Sequence, residues 1–226
     1  MAKTVIFDLD GTLADTGADL IAAANACFRG LGQGDQLDPA RDKGTAFRGG
    51  RAMLRLGFER LGREGAHLDE GIEAQYPLLL DSYGENIDTH TVLYDGAAAA
   101  ISELREAGYG VGICTNKPEA LAETLLARMG CRDWFGALVG ADTLAQRKPD
   151  PAPFHEAVRR AGGGDGAEGA VLVGDTDTDR QTARAAGVPC ILVTFGPEGD
   201  RVSALGPEAL LGDYRDLPVT VAKLIG

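Results

Sequence analysis

The sequence predicts an α/β protein, a doubly wound parallel sheet interrupted by a block of helices. Three observations carry this expectation. Residues 3–8, Lys3-Thr4-Val5-Ile6-Phe7-Asp8, form a β-branched and aromatic run that closes on a turn at Asp10-Gly11, as a buried strand does. From about residue 97 onward, short apolar runs alternate with helical patterns, the texture of a sheet covered on both faces. Between these regions, helical spacing alone recurs. A lone strand is unstable by itself, so residues 3–8 must join the later sheet, and the helical stretch becomes an insertion.

The elements follow in order. Three apolar faces at three- and four-residue spacing mark the insertion. They are Leu20, Ile21, Ala24 and Phe28; then Met53, Leu54, Leu56, Phe58 and Leu61; then Ile72, Tyr76, Leu79, Leu80 and Tyr83. A helix is expected near 97–107, ended by Gly108, and a strand at 109–114. A helix from Pro118 to Met129 places proline at its first position, where no N–H is needed. A strand at 137–140, a helix near 151–161, a strand at 170–174 and a helix near 178–186 come next. The strand Cys190–Val193 and a helix near 216–225 complete the chain. The expected division is an α/β core of residues 1–15 and 88–226 and a helical cap of residues 16–87, joined near 14–17 and 84–93. The glycine-rich stretch Gly162–Gly166 reads as a surface connection.

Composition narrows the function. At about 150 residues per domain, 226 residues make one domain with an appendage, and 44% apolar with 25% charged residues can build a core. No apolar run approaches about 18 residues, so no membrane span is expected. Val5-Ile6-Phe7 is too short for the apolar part of a signal peptide. Cys27, Cys114, Cys131 and Cys190 are scattered and form no CxxC pair. Reduced thiols in a cytoplasmic protein are therefore expected over disulfides or zinc. A net charge of −12 argues against nucleic acid and anionic lipid as partners. An anionic small substrate then requires local positive charge.

Ligands of parallel α/β sheets bind at the carboxyl ends of the strands. There the sequence places Asp8-Leu9-Asp10-Gly11-Thr12, then Thr115-Asn116, then Arg147-Lys148-Pro149-Asp150, and then Gly174-Asp175-Thr176-Asp177-Thr178-Asp179. Two like charges about 4 Å apart repel by about 4 kcal/mol at an effective dielectric near 20. Asp8, Asp10, Asp175 and Asp179 in one crevice therefore call for a divalent cation, helped by Lys148. All-oxygen donors favour magnesium, Mg2+. Zinc is disfavoured, because His67, His90 and His155 are not at ligand spacing.

These four segments, DxDGT, TN, KPDP and GDxxxD in this order, resemble the haloacid dehalogenase-like (HAD) hydrolase superfamily. The likeness spans nearly the whole chain, and "CTNKPE", "RKPDP" and "GDTDTD" look most like its phosphoglycolate phosphatase branch. The resemblance implies a Rossmann-like core with an inserted helical cap, and a magnesium-dependent hydrolysis of a small phosphorylated metabolite. It implies Asp8 as nucleophile and Asp10 as general acid, then base. It further implies magnesium held by Asp8, the Asp10 carbonyl and Asp175, with Asp179 in support. Thr115, Asn116 and Lys148 would take the phosphoryl oxygens. No oligomer beyond a monomer or homodimer is expected.

Other roles compete for several of these residues. Asp150, Asp175 and Thr115 are plausible helix caps, and the cap is favoured for Asp150. Asp177 fits a solvated residue better than a ligand, and for Lys117 and Arg147 a solvated face weighs equally with phosphate attraction. In the insertion, Arg48-Gly49-Gly50-Arg51 could read a substrate carboxylate, with Arg48, Gly49 and Arg51 as contacts, or form an exposed hairpin. A sugar-phosphate mutase shares the same core residues. A phospho-acceptor signalling module shares fewer and needs neither the insertion nor an acid at Asp10. A dehalogenase attacking carbon would need neither Asp10 nor Asp175.

Overall fold

The computed structural model describes residues 2–165 and 167–226, so Gly166 of the glycine-rich stretch lies outside the described residues. The chain divides into two compact units. One comprises the residues up to Asp15 together with Leu93–Gly226; the other is Thr16–Val92.

In the first unit, β1 (Thr4–Phe7) is followed by a short strand, β2 (Ala14–Asp15). All four side chains of β1 are fully buried, which its unbroken Thr-Val-Ile-Phe composition allows. The second unit holds α1 (Gly17–Gly30), α2 (Lys43–Ala46), α3 (Gly50–Arg60) and α4 (Gly65–Glu85). Phe28 and Phe58 meet edge to face at 5.1 Å in its core. The chain then returns through β3 (Val92–Leu93), which pairs with β2. It continues through α5 (Ala97–Glu106), β4 (Gly110–Cys114), α6 (Glu119–Arg128), β5 (Ala137–Val139) and α7 (Ala152–Arg160). Last come β6 (Ala170–Gly174), α8 (Asp177–Ala186), β7 (Cys190–Val193), β8 (Ala209–Leu211) and α9 (Leu217–Ile225).

The main sheet runs β5-β4-β1-β6-β7-β8, every neighbour pair parallel. The strand preceding the helical block thus lies between two strands that follow it, Thr4 facing Gly110 on one side and Ala170 on the other. Strand order reverses about β1, the place where ligand crevices form in open parallel sheets. Ile6, Cys114, Leu172 and Leu192 pack with Phe154, Ala157 and Val158 of α7 and Ala183 of α8. Alternation turns Val5, Phe7, Val171 and Val173 the other way, and they too are fully buried. Helices α5 and α9 lie against each other and against β4 and β6. Both faces of the sheet are covered.

Three details depart from the sequence expectation. Pro118 and Pro151 are the residues before α6 and α7, not their first helical residues; Pro118 is extended (ψ 136°), which ends the preceding turn. Strand β8 was not anticipated, because three residues with Leu210 turned to solvent show no strand period. Residues 88–92 fall in the helical unit. There the buried Asp19 carboxylate accepts hydrogen bonds from the His90 and Thr91 amides and the Thr91 hydroxyl, at 2.8–3.0 Å, tying that segment to α1.

Candidate active site

Asp8 follows the last residue of β1. Its amide donates to the Val173 carbonyl at 2.8 Å, extending the ladder one step, so its side chain emerges at the strand's carboxyl end. The backbone then folds over itself: Leu13 and Ala14 amides donate to the Leu9 carbonyl, and Gly11 donates to Ala14. Gly11 takes φ +81°, and a Cβ there would stand 2.5 Å from Asp175 Oδ2. Glycine is required on both counts. The turn delivers Thr12, whose hydroxyl donates to Asp175 Oδ1 at 2.7 Å, and the Tyr214 hydroxyl donates to the Thr12 carbonyl.

Asp175 and Asp179 come from the end of β6 and the first turn of α8. Asp179 Oδ2 accepts hydrogen bonds from the amides of Asp175 and Thr176 and the Thr176 hydroxyl, and its Oδ1 lies 2.6 Å from Lys148 Nζ. Both of its oxygens are occupied. Asp175 differs: Oδ1 is met by Thr12, whereas Oδ2 is buried with no hydrogen-bond partner. Lys148, 2% exposed at the side chain, also lies 3.2 Å from Asp8 Oδ1. The Leu9 amide donates to that same oxygen at 2.7 Å, and Asp8 Oδ2 accepts no hydrogen bond among the described residues.

One carboxylate oxygen each from Asp8, Asp175 and Asp179 lies within 4.8 Å of the others. Three carboxylates thus face one ammonium. Burial pushes the Asp8 carboxyl up to about 6; Lys148 opposes this, and Asp179 and Asp10 add to it. Burial, reinforced by Asp179 and Asp8, also holds Asp175 well above the usual carboxylate range. Burial disfavours charge on Lys148, yet Asp179 and Asp8 outweigh it and keep the lysine above its ordinary range. The orphaned Asp175 oxygen, the excess negative charge and the all-oxygen donor set suit a hard divalent cation held by Asp8 and Asp175.

The other two strand ends contribute differently from one another. Thr115 follows β4; its hydroxyl oxygen accepts the Lys117 amide at 3.2 Å, and Pro118, not Thr115, precedes α6. The threonine therefore turns back on its own loop and keeps its hydroxyl hydrogen to donate. The Asn116 side-chain nitrogen donates to the Lys148 carbonyl at 3.0 Å, bracing the lysine's backbone. Lys117, which the sequence left between phosphate attraction and a solvated face, is 3% exposed at the side chain. Its Nζ lies 2.8 and 2.9 Å from the two oxygens of Asp10. No linear signal ties residue 117 to residue 10; only the β1–β4 pairing brings them together. Asp150 caps its turn through the Ala152 amide, and Asp177 bonds to Gln181 on an exposed helix face.

Arg48, Gly49 and Arg51 belong to the helical unit, and the strand-end residues to the other. Gly49, at φ +95°, precedes α3. Arg51 is engaged within its own unit, with Nε and Nη2 at 2.7 and 3.0 Å from the Glu73 carboxylate and its guanidinium 3.7 Å from the Tyr76 ring centre.

Comparison with known proteins shows the family. Residues 2–187 match the family model of haloacid dehalogenase-like hydrolases. A phosphoglycolate phosphatase of Mesorhizobium japonicum is 37% identical over 221 residues, covering 97% of this chain and 94% of that protein. One from Rhodospirillum rubrum is 38% identical, covering 96% and 90%. The crystal structure of a predicted phosphoglycolate phosphatase from Haemophilus somnus superimposes with a TM-score of 0.83 at 23% identity, covering 97% and 98%, and shares the fold. The chain belongs to the haloacid dehalogenase-like hydrolases, with phosphoglycolate phosphatases among its full-length relatives.

Proposed function

We propose that the protein is a magnesium-dependent phosphomonoester hydrolase that works through an aspartyl phosphate on Asp8, with 2-phosphoglycolate as its substrate. The observation that carries this reading is Asp175 Oδ2, a buried carboxylate oxygen without a partner in a cluster of three acids and one lysine. Such an atom costs several kcal/mol unless a cation meets it. Asp8, Asp175 and the Asp10 carbonyl would hold magnesium, which when bound screens the acids from an incoming phosphate. Asp179, both oxygens already committed, supports Lys148 in place of ligation.

The protein's own groups then divide the work. Asp8 Oδ2 attacks phosphorus while Lys148 steadies Oδ1 and the transferring oxygens. The phosphorus–ester oxygen bond breaks, and Asp10 gives its proton to the departing alkoxide. In the second step water attacks the phosphoaspartate and gives a proton to Asp10. The bond to Asp8 breaks, and inorganic phosphate leaves. Thr115 donates its hydroxyl to a phosphoryl oxygen, and Asn116 retains one amide hydrogen for the same purpose.

The substrate assignment draws on the relatives named above. The helical unit would serve as the cap, with Arg48, Gly49 and Arg51 as its candidate contacts to the substrate carboxylate; the Arg51 guanidinium is engaged with Glu73. Four buried, unbridged cysteines fit a reducing cytoplasm. Phosphate release from a panel of small phosphomonoesters tests the reading. Turnover should require magnesium, stop with chelator, and be fastest with 2-phosphoglycolate. An isomerised phosphate ester in place of free phosphate would select a mutase.

A further inference from the structure

We infer that Lys117 is a positioning residue for the acid–base carboxyl of Asp10, an inference that rests on the hydrolase reading above. The two catalytic aspartates are each held by a lysine. Lys148 lies against Asp8 and is braced by Asp179. Lys117 lies against Asp10, bridging both of its oxygens. The two contacts differ in consequence, because a nucleophile must keep one oxygen open, whereas a proton carrier must present its carboxyl at a fixed angle to a departing oxygen.

The lysine is itself fixed at the backbone. Its amide donates to the Thr115 hydroxyl oxygen at 3.2 Å, and its carbonyl accepts the Ala141 amide at 2.9 Å, so the loops after β4 and β5 hold it from both sides. The same three-residue turn therefore supplies Thr115 for the phosphate, Asn116 for the Lys148 backbone and Lys117 for Asp10. A buried ammonium is costly unless well paired, and here the pairing is spent on a residue of the reaction. When Asp10 carries its proton on one oxygen, Lys117 keeps the other, and the O–H stays directed at the leaving group. When Asp10 returns as a carboxylate after giving the proton up, both oxygens again meet the ammonium, the arrangement seen here.

A residue acting through the general acid affects substrates according to their leaving groups. In a mechanism with a covalent intermediate, kcat/KM reports only the steps up to phosphoenzyme formation, where the leaving group departs. The test measures kcat/KM of the magnesium-loaded full chain for 2-phosphoglycolate, for another alkyl phosphate, and for 4-nitrophenyl phosphate, whose leaving group needs no proton. Lys117→Met should lower the alkyl values about 30-fold and the nitrophenyl value by less than about 3-fold. Lys117→Arg should restore most of the alkyl loss. In an Asp10→Asn background, Lys117→Met should add less than about 2-fold, because the residue it positions is gone.

Should Lys117→Met fail to fold by circular dichroism, Lys117→Gln carries the same expectation. Equal losses on alkyl and nitrophenyl esters, or additive losses with Asp10→Asn, would overturn the inference. A wild-type protein that releases phosphate from none of these esters would instead overturn the hydrolase reading.

Discussion

The two units of this chain handle charge in opposite ways. Around the carboxyl ends of β1, β4 and β6, ionised groups are buried: Lys148 is 2% exposed at its side chain and Asp179 fully enclosed. In the helical unit several ion pairs lie at the surface. Arg29–Asp35, Arg51–Glu73 and Arg55–Asp69 all involve side chains about half exposed or more. Exposed pairs contribute little, whereas buried ions carry a desolvation cost that stability alone does not justify. The place where a fold tolerates that cost is where its chemistry is to be sought, and here it coincides with the strand ends of a HAD-like hydrolase.

That contrast can be broken experimentally. The largest effect is expected for Lys148→Met, which removes the ammonium shared by Asp8 and Asp179 and leaves buried carboxylates facing one another. Denaturant unfolding should show a loss of about 3–5 kcal/mol, with magnesium restoring part of it. A loss below about 1 kcal/mol would mean that the cluster is solvated and the contrast false.

An intermediate effect is expected at a helical-unit pair that resembles the core. Asp42, 7% exposed at its side chain, receives both guanidinium nitrogens of Arg60 at 2.7 Å and the Asp38 amide at the same distance. The Arg60 hydrogen bonds, against a smaller opposing effect of burial, hold its carboxyl below the usual range. A depressed carboxyl adds stability that is complete above its unfolded value of about 4 and is lost as the pH falls through its folded value. Asp42→Asn should therefore cost about 1–2 kcal/mol at neutral pH, and the difference should vanish in acid. A difference constant with pH would assign the effect to packing. The smallest change is expected for Arg55→Ala, under about 0.5 kcal/mol in the same unfolding experiment.

The same division explains what could be read from the sequence. The strands Ala170–Gly174 and Cys190–Val193 were visible to the residue, because buried parallel strands are unbroken apolar runs. Asp8 after Thr4–Phe7 and Asp175 after Ala170–Gly174 stood out because aspartates closing such runs need an explanation. Lys117 did not stand out: its partner is 107 residues away, and a lysine before a helix has the look of a solvated one. The Asp179 bracing of Lys148 and the unpartnered Asp175 oxygen likewise depend on which atoms face which, a matter of packing and not of pattern. In the helical unit, the apolar faces were plain from their spacing. The engagement of Arg51 with Glu73 was not, since 22 residues and a turn separate them.

The central claim is that Asp8 becomes phosphorylated. Rapid acid quenching of the magnesium-loaded protein during turnover of 2-phosphoglycolate, followed by mass spectrometry of the peptide bearing Asp8, addresses it directly. One phosphoryl group should be found on Asp8 in the wild-type protein, and none in Asp8→Asn, which should also release no phosphate. Sustained phosphate release by Asp8→Asn, or turnover with the label on no aspartate, would contradict the account.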